Sequence, residues 1–321
     1  MTPSAAYRAL QIVDSDDIVA PLPGSGDTAT RFRTLAELTR SDISVGRMVE
    51  AHLDADAILV EITGCRAGQG ELWGVWAAEP PTHVVTAHRD GNRWRLHGTK
   101  PWCSGAVGCT HALVTARDGD RRRLFSVDLA QHGIHPQSGG WRSAGMSGTD
   151  TEAVEFENVA ARPVGEPGDY LARAGFWHGG VGVAACWLGG AAKVADALYN
   201  RARTGGDDIL MMHLGAVDAL LADGWSQLVY AADAIDKAPR EEAAARRRAL
   251  RVRWAIEQIA TAVIDRVNRA LGPAPLVHSG EHAQAVADLA VYIRQSHADN
   301  DLMALGRLVA GDTPDFFGDR S

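Results

Sequence analysis

The chain has 321 residues, 46% of them hydrophobic and 22% charged, an ordinary balance for a globular protein of one large or two smaller domains. A formal net charge of -8 speaks for solubility and against a general nucleic-acid partner. No apolar run reads as long enough for a membrane partner and the N-terminus has no signal-peptide pattern, so a cytoplasmic location is expected.

Residues 1–30 contain Pro21-Leu22-Pro23-Gly24-Ser25-Gly26 and read as loop. From Thr30 to Ile62 the pattern is helical. Phe32, Leu35 and Leu38 make one stripe, and Ile43, Met48, Leu53, Ile58 and Leu59 continue it, with Ser41 or Asp42 as N-cap. His52, inside this stretch, reads as a packed or capping histidine. Gly64 to Gly70 reads as a loop between domains. Cys65, Cys103, Cys109 and Cys186 have neither zinc spacing nor a disulfide framework, so no metal is expected and all four read as reduced thiols in small buried sites.

From Trp73 to about Arg162 short strand-like runs recur: Trp73–Ala78, His83–His88, Arg93–Leu96, Ala112–Ala116, Arg123–Val127 and Ala153–Phe156. Asp90-Gly91 and Asp118-Gly119-Asp120 are turn signals between them. Close spacing without intervening helices predicts an antiparallel sheet or small barrel. Within it, strand alternation would place Trp102 and Ser104 on one side of the backbone. A flat indole beside a hydroxyl suits a flat heteroaromatic cofactor; a core tryptophan followed by a turn serine is the alternative.

After Pro163 four long helical patterns fill the chain. The first, about Gly175 to Arg203, carries Gly179-Gly180-Val181-Gly182 and Gly189-Gly190, which no strand precedes, so they predict close helix packing and not a nucleotide fingerprint. The second steps through Leu214, Val217, Leu221, Trp225, Leu228, Ala232 and Ile235. The third carries Val252, Ile256, Ile259, Val263, Val267 and Leu271 and ends at Gly272-Pro273. Near its start, Arg246-Arg247-Arg248 after Glu241-Glu242 reads as a solvated face. The fourth is expected as one helix from His282 to Val309, with a polar break at His297, Asp299, Asn300 and Asp301 in its apolar face. Such a break in a buried seam requires hydrogen bonds, which makes His297 either a satisfied core histidine or a catalytic one.

This order of elements, with three motifs, resembles the acyl-CoA dehydrogenase superfamily. Gly74-Val75-Trp76-Ala77-Ala78-Glu79-Pro80 is similar to the family's strand ending in Thr-Glu-Pro. Gly98-Thr99-Lys100-Pro101-Trp102-Cys103-Ser104-Gly105 is similar to its Gly-x-Lys-x-Trp-Ile-Thr-Asn segment, and Gly145 to Val159 to the stretch closing its middle domain. The resemblance implies an α+β fold: a short helical region over 1–70, a central antiparallel β-barrel or sheet domain over 71–165, a C-terminal four-helix bundle over 166–312 and a tail, 313–321. It also implies bound FAD, with Trp102 beside the isoalloxazine, Ser104 on flavin N5, and Ala77 and Ala78 facing the pyrimidine edge through backbone atoms. Arg203 would reach the pyrophosphate of a neighbouring subunit's FAD, or merely offset a helix dipole, and Gly272 falls in the adenine-side motif. The implied reaction is α,β-desaturation of an acyl-CoA or acyl-carrier thioester. The implied assembly is a homodimer, a homotetramer, or a heterotetramer with a related subunit.

The departures bear on chemistry. The adenine-side motif is reduced to Asn268-Arg269-Ala270-Leu271-Gly272-Pro273, and the Phe-Gly after Arg203 is Gly205-Gly206-Asp207. The catalytic glutamate is missing from both family positions: Ser296 stands at one and Ala172 at the other. His297, with Asp299 close by, is the substitute base the sequence offers. A flavin monooxygenase on the same fold, which lacks the glutamate and uses a His-Asp pair, and a non-catalytic subunit of a hetero-oligomer are the rival readings.

Overall fold

A computed structural model describes residues 3–15, 18–80 and 82–311. The expected tail at 313–321 lies outside these residues. The first 30 residues are not all loop: α1 spans Ala5–Val13, capped by Ser4, whose hydroxyl accepts from the Tyr7 amide at 3.2 Å. The single cap and a short Ala-rich stripe are a weak sequence signal. The helix is held by tertiary contact, since Ala5, Ala6 and Ala9 pack with Val45, Met48 and Val49. Two longer helices follow, α2 (Thr28–Ser41) and α3 (Ile43–Thr63). Asp42 separates them. Its carboxylate accepts from the Val45 amide at 3.0 Å as the N-cap of α3 and from Arg8 at 2.9 Å, tying α1 to this corner.

Among the described residues seven strands form the middle of the molecule: β1 (Trp73–Trp76), β2 (Val85–Asp90), β3 (Arg93–Cys103), β4 (His111–Asp118), β5 (Arg121–Asp128), β6 (Ile134–Gln137) and β7 (Glu152–Val164). β6, with only Ile134 as an apolar residue, escapes a periodicity reading. The strands run β4-β2-β3-β7-β5 and β5 pairs with β4 again, closing a barrel, with β1 added to β4 and β6 to β7. The sheet is mixed and not purely antiparallel: β1 runs parallel to β4, and β2 meets β4 in parallel at Thr86 and Arg117. Tertiary closure, invisible to local spacing, makes those two pairings. Leu96, Val114, Phe125, Val154 and Phe156 form one buried cluster of the barrel. Leu113, Leu124 and Trp73 pack instead with Ile58 and Leu59 of α3.

After the short α4 (Asp169–Ala172), three 30-residue helices form the bundle: α5 (Ala174–Arg203), α6 (Asp208–Lys237) and α7 (Glu242–Leu271). By length and composition α5 could cross a bilayer, contrary to the sequence expectation, but 72% of its most apolar window is buried inside the protein. Its glycines let neighbours come to backbone distance. A Cβ on Gly189 would sit 2.1 Å from the Ala36 carbonyl of α2, and one on Gly179 would sit 2.4 Å from the Asp54 carboxylate of α3.

The last expected helix is not continuous. Short α8 (Ala274–His278) precedes α9 (Gly280–Tyr292). A 3-10 turn (Ile293–Gln295) and a break then lead to α10 (Asp299–Val309). The break falls at Ala298, which has a φ of 46°. The polar residues that interrupt the apolar stripe end one helix and start another, and α10 buries none of its residues.

Candidate functional site

The Trp102 segment is where β3 stops being regular. Lys100 pairs with Val154 and Cys103 with Glu152, so β3 carries one extra residue here, a β-bulge. Trp102 lies inside it with a φ of 54° and is 61% exposed, whereas Lys100 and Cys103 are buried. Simple alternation therefore does not govern Trp102 and Ser104: the bulge turns the indole outward, and Ser104 begins the turn after the strand. Thr151 donates to Ser104 Oγ at 3.1 Å, which leaves the serine O–H free for another acceptor. The Ser104 carbonyl receives the Trp76 indole N–H at 3.0 Å. An exposed indole held in a left-handed conformation, next to a free hydroxyl, fits one face and one edge of a flavin ring.

Beneath this segment Lys100 is 1% exposed. Its ammonium donates to Thr115 Oγ1 at 2.8 Å and lies 3.8 Å from Glu79. Burial pulls its pKa down to about 8, against the opposing pull of Glu79. Burial pushes the Glu79 carboxyl up, but bonds and charges from Thr115, Lys100 and Arg122 outweigh it and hold it below its usual value. Ala77 and Ala78 are partly buried in the loop after β1, and the Ala77 carbonyl accepts from Thr115 at 3.4 Å.

Arg203 lies in the last turn of α5, exposed and donating to Asn200 Oδ1 at 3.0 Å. Gly272 caps α7 with a φ of 64°. The ends of α5 and α7 meet the start of α6 around an open cleft of about 450 Å³, lined by Ala197, Arg201, Asp207, Leu210, Leu271 and Pro275. The helix ends that carry Arg203 and Gly272 thus come together, at a place separate from the Trp102 bulge.

At the α9–α10 break, His297 pairs with Asp301 and not with Asp299. Its Nδ1 is 3.4 Å from Asp301 Oδ1, and its backbone N–H donates to Asp301 Oδ2 at 3.3 Å. Asp299 opens α10 and is exposed. The first turn of α10 brings the Asp301 carboxylate, four residues on, back to the imidazole, whereas Asp299, two residues on, lies exposed. The His297 side chain is 77% exposed, so it is no satisfied core histidine. The bond to Asp301 raises its pKa above the ordinary value despite partial burial. Ser296 accepts from the Ala298 amide at 3.1 Å.

A group of residues that sequence reasoning missed lies behind this break. Arg47, Glu50 and Asp54 fall on one face of α3. Arg47 donates to Glu50 at 2.6 Å, with Glu50 5% exposed and the Arg47 side chain 13%. Burial drives the Glu50 carboxyl up to about 7, against the pull of Arg47. Arg253 of α7 donates to the carbonyls of Gly180 (2.9 Å) and Gln295 (3.1 Å) and stacks over the Trp187 indole at 4.7 Å. Burial lowers its pKa, with Asp301 and Glu50 opposing. Trp187 and Tyr292 are fully buried and meet edge to face; the tyrosine hydroxyl lies against the Cys186 thiol, and the indole N–H has no hydrogen-bond partner among the described residues. A charged stripe on a helix normally reads as a solvated face, so burial was the missing signal. The cysteines divide: Cys103, Cys109 and Cys186 are buried, but Cys65 is exposed, against expectation, because the loop after α3 packs loosely around it. His52 is buried, and its Nδ1 accepts from the Trp73 amide at 3.4 Å.

The family model for the acyl-CoA dehydrogenase middle domain matches residues 77–159. A dibenzothiophene monooxygenase from Mycolicibacterium goodii is 26% identical over 169 residues, 45% of this chain. The match spans only 40% of that relative's length. Among solved structures, dibenzothiophene monooxygenase from Paenibacillus sp. A11-2, in complex with FMN and indole, matches with a TM-score of 0.78. The match covers 89% of this chain and 84% of that one at 17% identity. Butyryl-CoA dehydrogenase from Megasphaera elsdenii matches with a TM-score of 0.79 over 95% of this chain and 89% of that one, at 14% identity. At these identities the structural likeness speaks for the fold.

Proposed function

We propose that this chain, a member of the acyl-CoA dehydrogenase superfamily by its middle domain and fold, is a flavin-dependent monooxygenase and not an acyl thioester desaturase. The carrying observation is the α9–α10 break. Desaturation needs a base within hydrogen-bonding reach of an α-proton. Serine occupies the position where the family resemblance puts that base, and the neighbouring His297 is 77% exposed and bound to Asp301. Oxygen transfer needs no α-proton base.

A reduced flavin, when bound, would supply the two electrons that let one atom of dioxygen enter the substrate while the other leaves as water. The chain's own residues do the rest. Trp102 would cover one face of the ring, and the free O–H of Ser104 would donate to an acceptor at its edge. The bond to Asp301, which raises the His297 pKa above its ordinary value, would let the imidazole hold a proton at the α9–α10 break. FMN is the proposed flavin. The adenine-side motif has lost its glutamine and one glycine, and the monooxygenase of Paenibacillus was solved with FMN. Exposed Leu276, Val277, Leu302 and Met303 on α8 and α10 support a proposed dimer or tetramer.

The test is spectroscopic. The purified chain is to be titrated with FMN and with FAD, reduced anaerobically, and mixed with oxygenated buffer. Rapid oxygen consumption with tighter binding of FMN is expected. Reduction of the bound flavin by acyl-CoA substrates under anaerobic conditions would overturn the reading in favour of desaturation.

A further inference from the structure

Deepening the flavin reading above, and resting on it, we propose that Thr149 and Thr151 are positioning residues for the ring. With Ser104 they form a relay of three hydroxyls that turns the Ser104 O–H toward an oxidised flavin and a Ser104 lone pair toward a reduced one.

The contacts are continuous. Thr151 Oγ1 lies 3.1 Å from Ser104 Oγ and 2.8 Å from Thr149 Oγ1, and Thr149 Oγ1 lies 2.7 Å from the Met146 carbonyl. Thr149 and Thr151 are buried, while Ser104 is partly exposed beside the outward-facing Trp102. Backbone bonds hold the two segments in register. The Gly105 amide donates to the Thr149 carbonyl at 2.7 Å, and the Ala106 amide to the Asp150 carbonyl at 3.2 Å. The far end is anchored by the Met146 amide, which donates to Asp288 at 2.6 Å.

Each hydroxyl brings one hydrogen, so only two arrangements put a hydrogen in both hydroxyl–hydroxyl contacts. A carbonyl can only accept, and a bond to Met146 therefore uses the Thr149 hydrogen. Thr151 must then donate to Thr149 and Ser104 to Thr151, which turns a Ser104 lone pair outward. In the reverse order Thr149 donates to Thr151, Thr151 donates to Ser104, and the Ser104 O–H points outward. Reversal does not orphan the Met146 carbonyl, because it keeps the Thr149 backbone N–H at 3.2 Å. The two arrangements thus differ by one hydrogen bond, a gap small enough for a partner outside to decide.

A flavin changes in the matching way. A ring-edge nitrogen that accepts in the oxidised state carries hydrogen in the reduced state, and would then donate. A serine without neighbours would accept from it but leave its own hydrogen without a partner. Thr151 accepts that hydrogen, and Thr149 accepts the one from Thr151. The arrangement that suits a reduced ring also keeps all three internal bonds, so the relay favours reduced flavin. No proton enters or leaves the relay; three O–H bonds rotate.

Midpoint potentials of FMN, or of FAD if that binds more tightly, on the full-length chain test the assignment by reductive titration against a reference dye. Thr151→Val keeps the shape and removes the central hydroxyl. It is expected to weaken reduced flavin relative to oxidised about tenfold, a fall of about 30 mV for a two-electron couple. Thr149→Val is expected to lower the potential too, although Thr151 stands between it and Ser104. Thr151→Ser, which keeps the hydroxyl, should restore the wild-type value. In a Ser104→Ala background, Thr151→Val should no longer move the potential. An unchanged potential in both valine variants, or an equal fall with and without Ser104, overturns the relay and leaves the flavin reading standing. A wild-type chain that binds neither flavin overturns both.

Discussion

Trp102 holds a backbone conformation that a bulky side chain disfavours, and it is exposed while doing so. A left-handed conformation costs a non-glycine residue about 1–2 kcal/mol. Trp102→Gly is therefore expected to raise stability toward urea by about 1 kcal/mol and to weaken flavin binding at least tenfold, read by denaturation midpoints and flavin fluorescence. If affinity is unchanged, the wall assigned to the indole is not there. Glu50 gives a second outcome at this scale. Its folded pKa, about 7, lies above its unfolded value, so the folded state binds the extra proton. Its contribution to stability is present at low pH and is lost as pH rises from about 4.5 through 7. Wild type minus Glu50→Gln should show that downward slope in denaturation midpoints; parallel profiles would mean Glu50 stays ionised. The His297–Asp301 pair has the same sign for its own reason. Asp301 raises the imidazole pKa and His297 lowers the carboxyl's, so the pair's contribution is whole between about 4 and 6.5, the unfolded carboxyl and histidine values; it fades as pH rises past the folded histidine value and again as acid protonates Asp301.

Among the elements, α5 has its environment written most directly into its composition. Gly189 meets the Ala36 carbonyl of α2, so Gly189→Ala must push two helices apart and is expected to destabilise by about 1–3 kcal/mol. Gly215, exposed in the middle of α6 with nothing within 4 Å of an added Cβ, is the control. Gly215→Ala should stabilise by about 0.5–1 kcal/mol through helix propensity alone. Equal effects in thermal melts would refute the packing role of the α5 glycines. The sequence announced α5, α6 and α7 because an apolar stripe at helical spacing over 30 residues has no other reading. It did not announce the fracture between α9 and α10. The stripe resumes at Leu302, Leu305 and Leu308, and periodicity does not record that Ala298 turns to a positive φ between its two halves.

For the whole molecule, the loop over 141–149 does much of the joining. The Met146 amide donates to Asp288 of α9 at 2.6 Å, and Gln284 of the same helix donates to the Ala144 carbonyl at 2.8 Å. Barrel and bundle are thereby fixed to each other on one side, with α3 between them on another. The proposed assembly belongs to this scale. Light scattering at micromolar concentration is expected to give a dimer or tetramer. Leu302→Glu with Met303→Glu should reduce its mass while far-ultraviolet circular dichroism stays the same; a wild-type monomer would sink the proposal.

Most of the helix and strand order, a cap at Ser41 or Asp42, the long bundle helices and the family motifs were legible from residues alone, because each depends on neighbours within a few positions along the chain; α1 and β6 were too short and weakly patterned to be read. The barrel's closure, the parallel β1–β4 pairing, the outward turn of Trp102 and the burial of Glu50 and Tyr292 were not. Each depends on which distant surface arrives next to a residue. The same charged stripe on α3 would face water in one packing and line an interior in another, and only the arrival of α5, α7 and α9 against it decides between them.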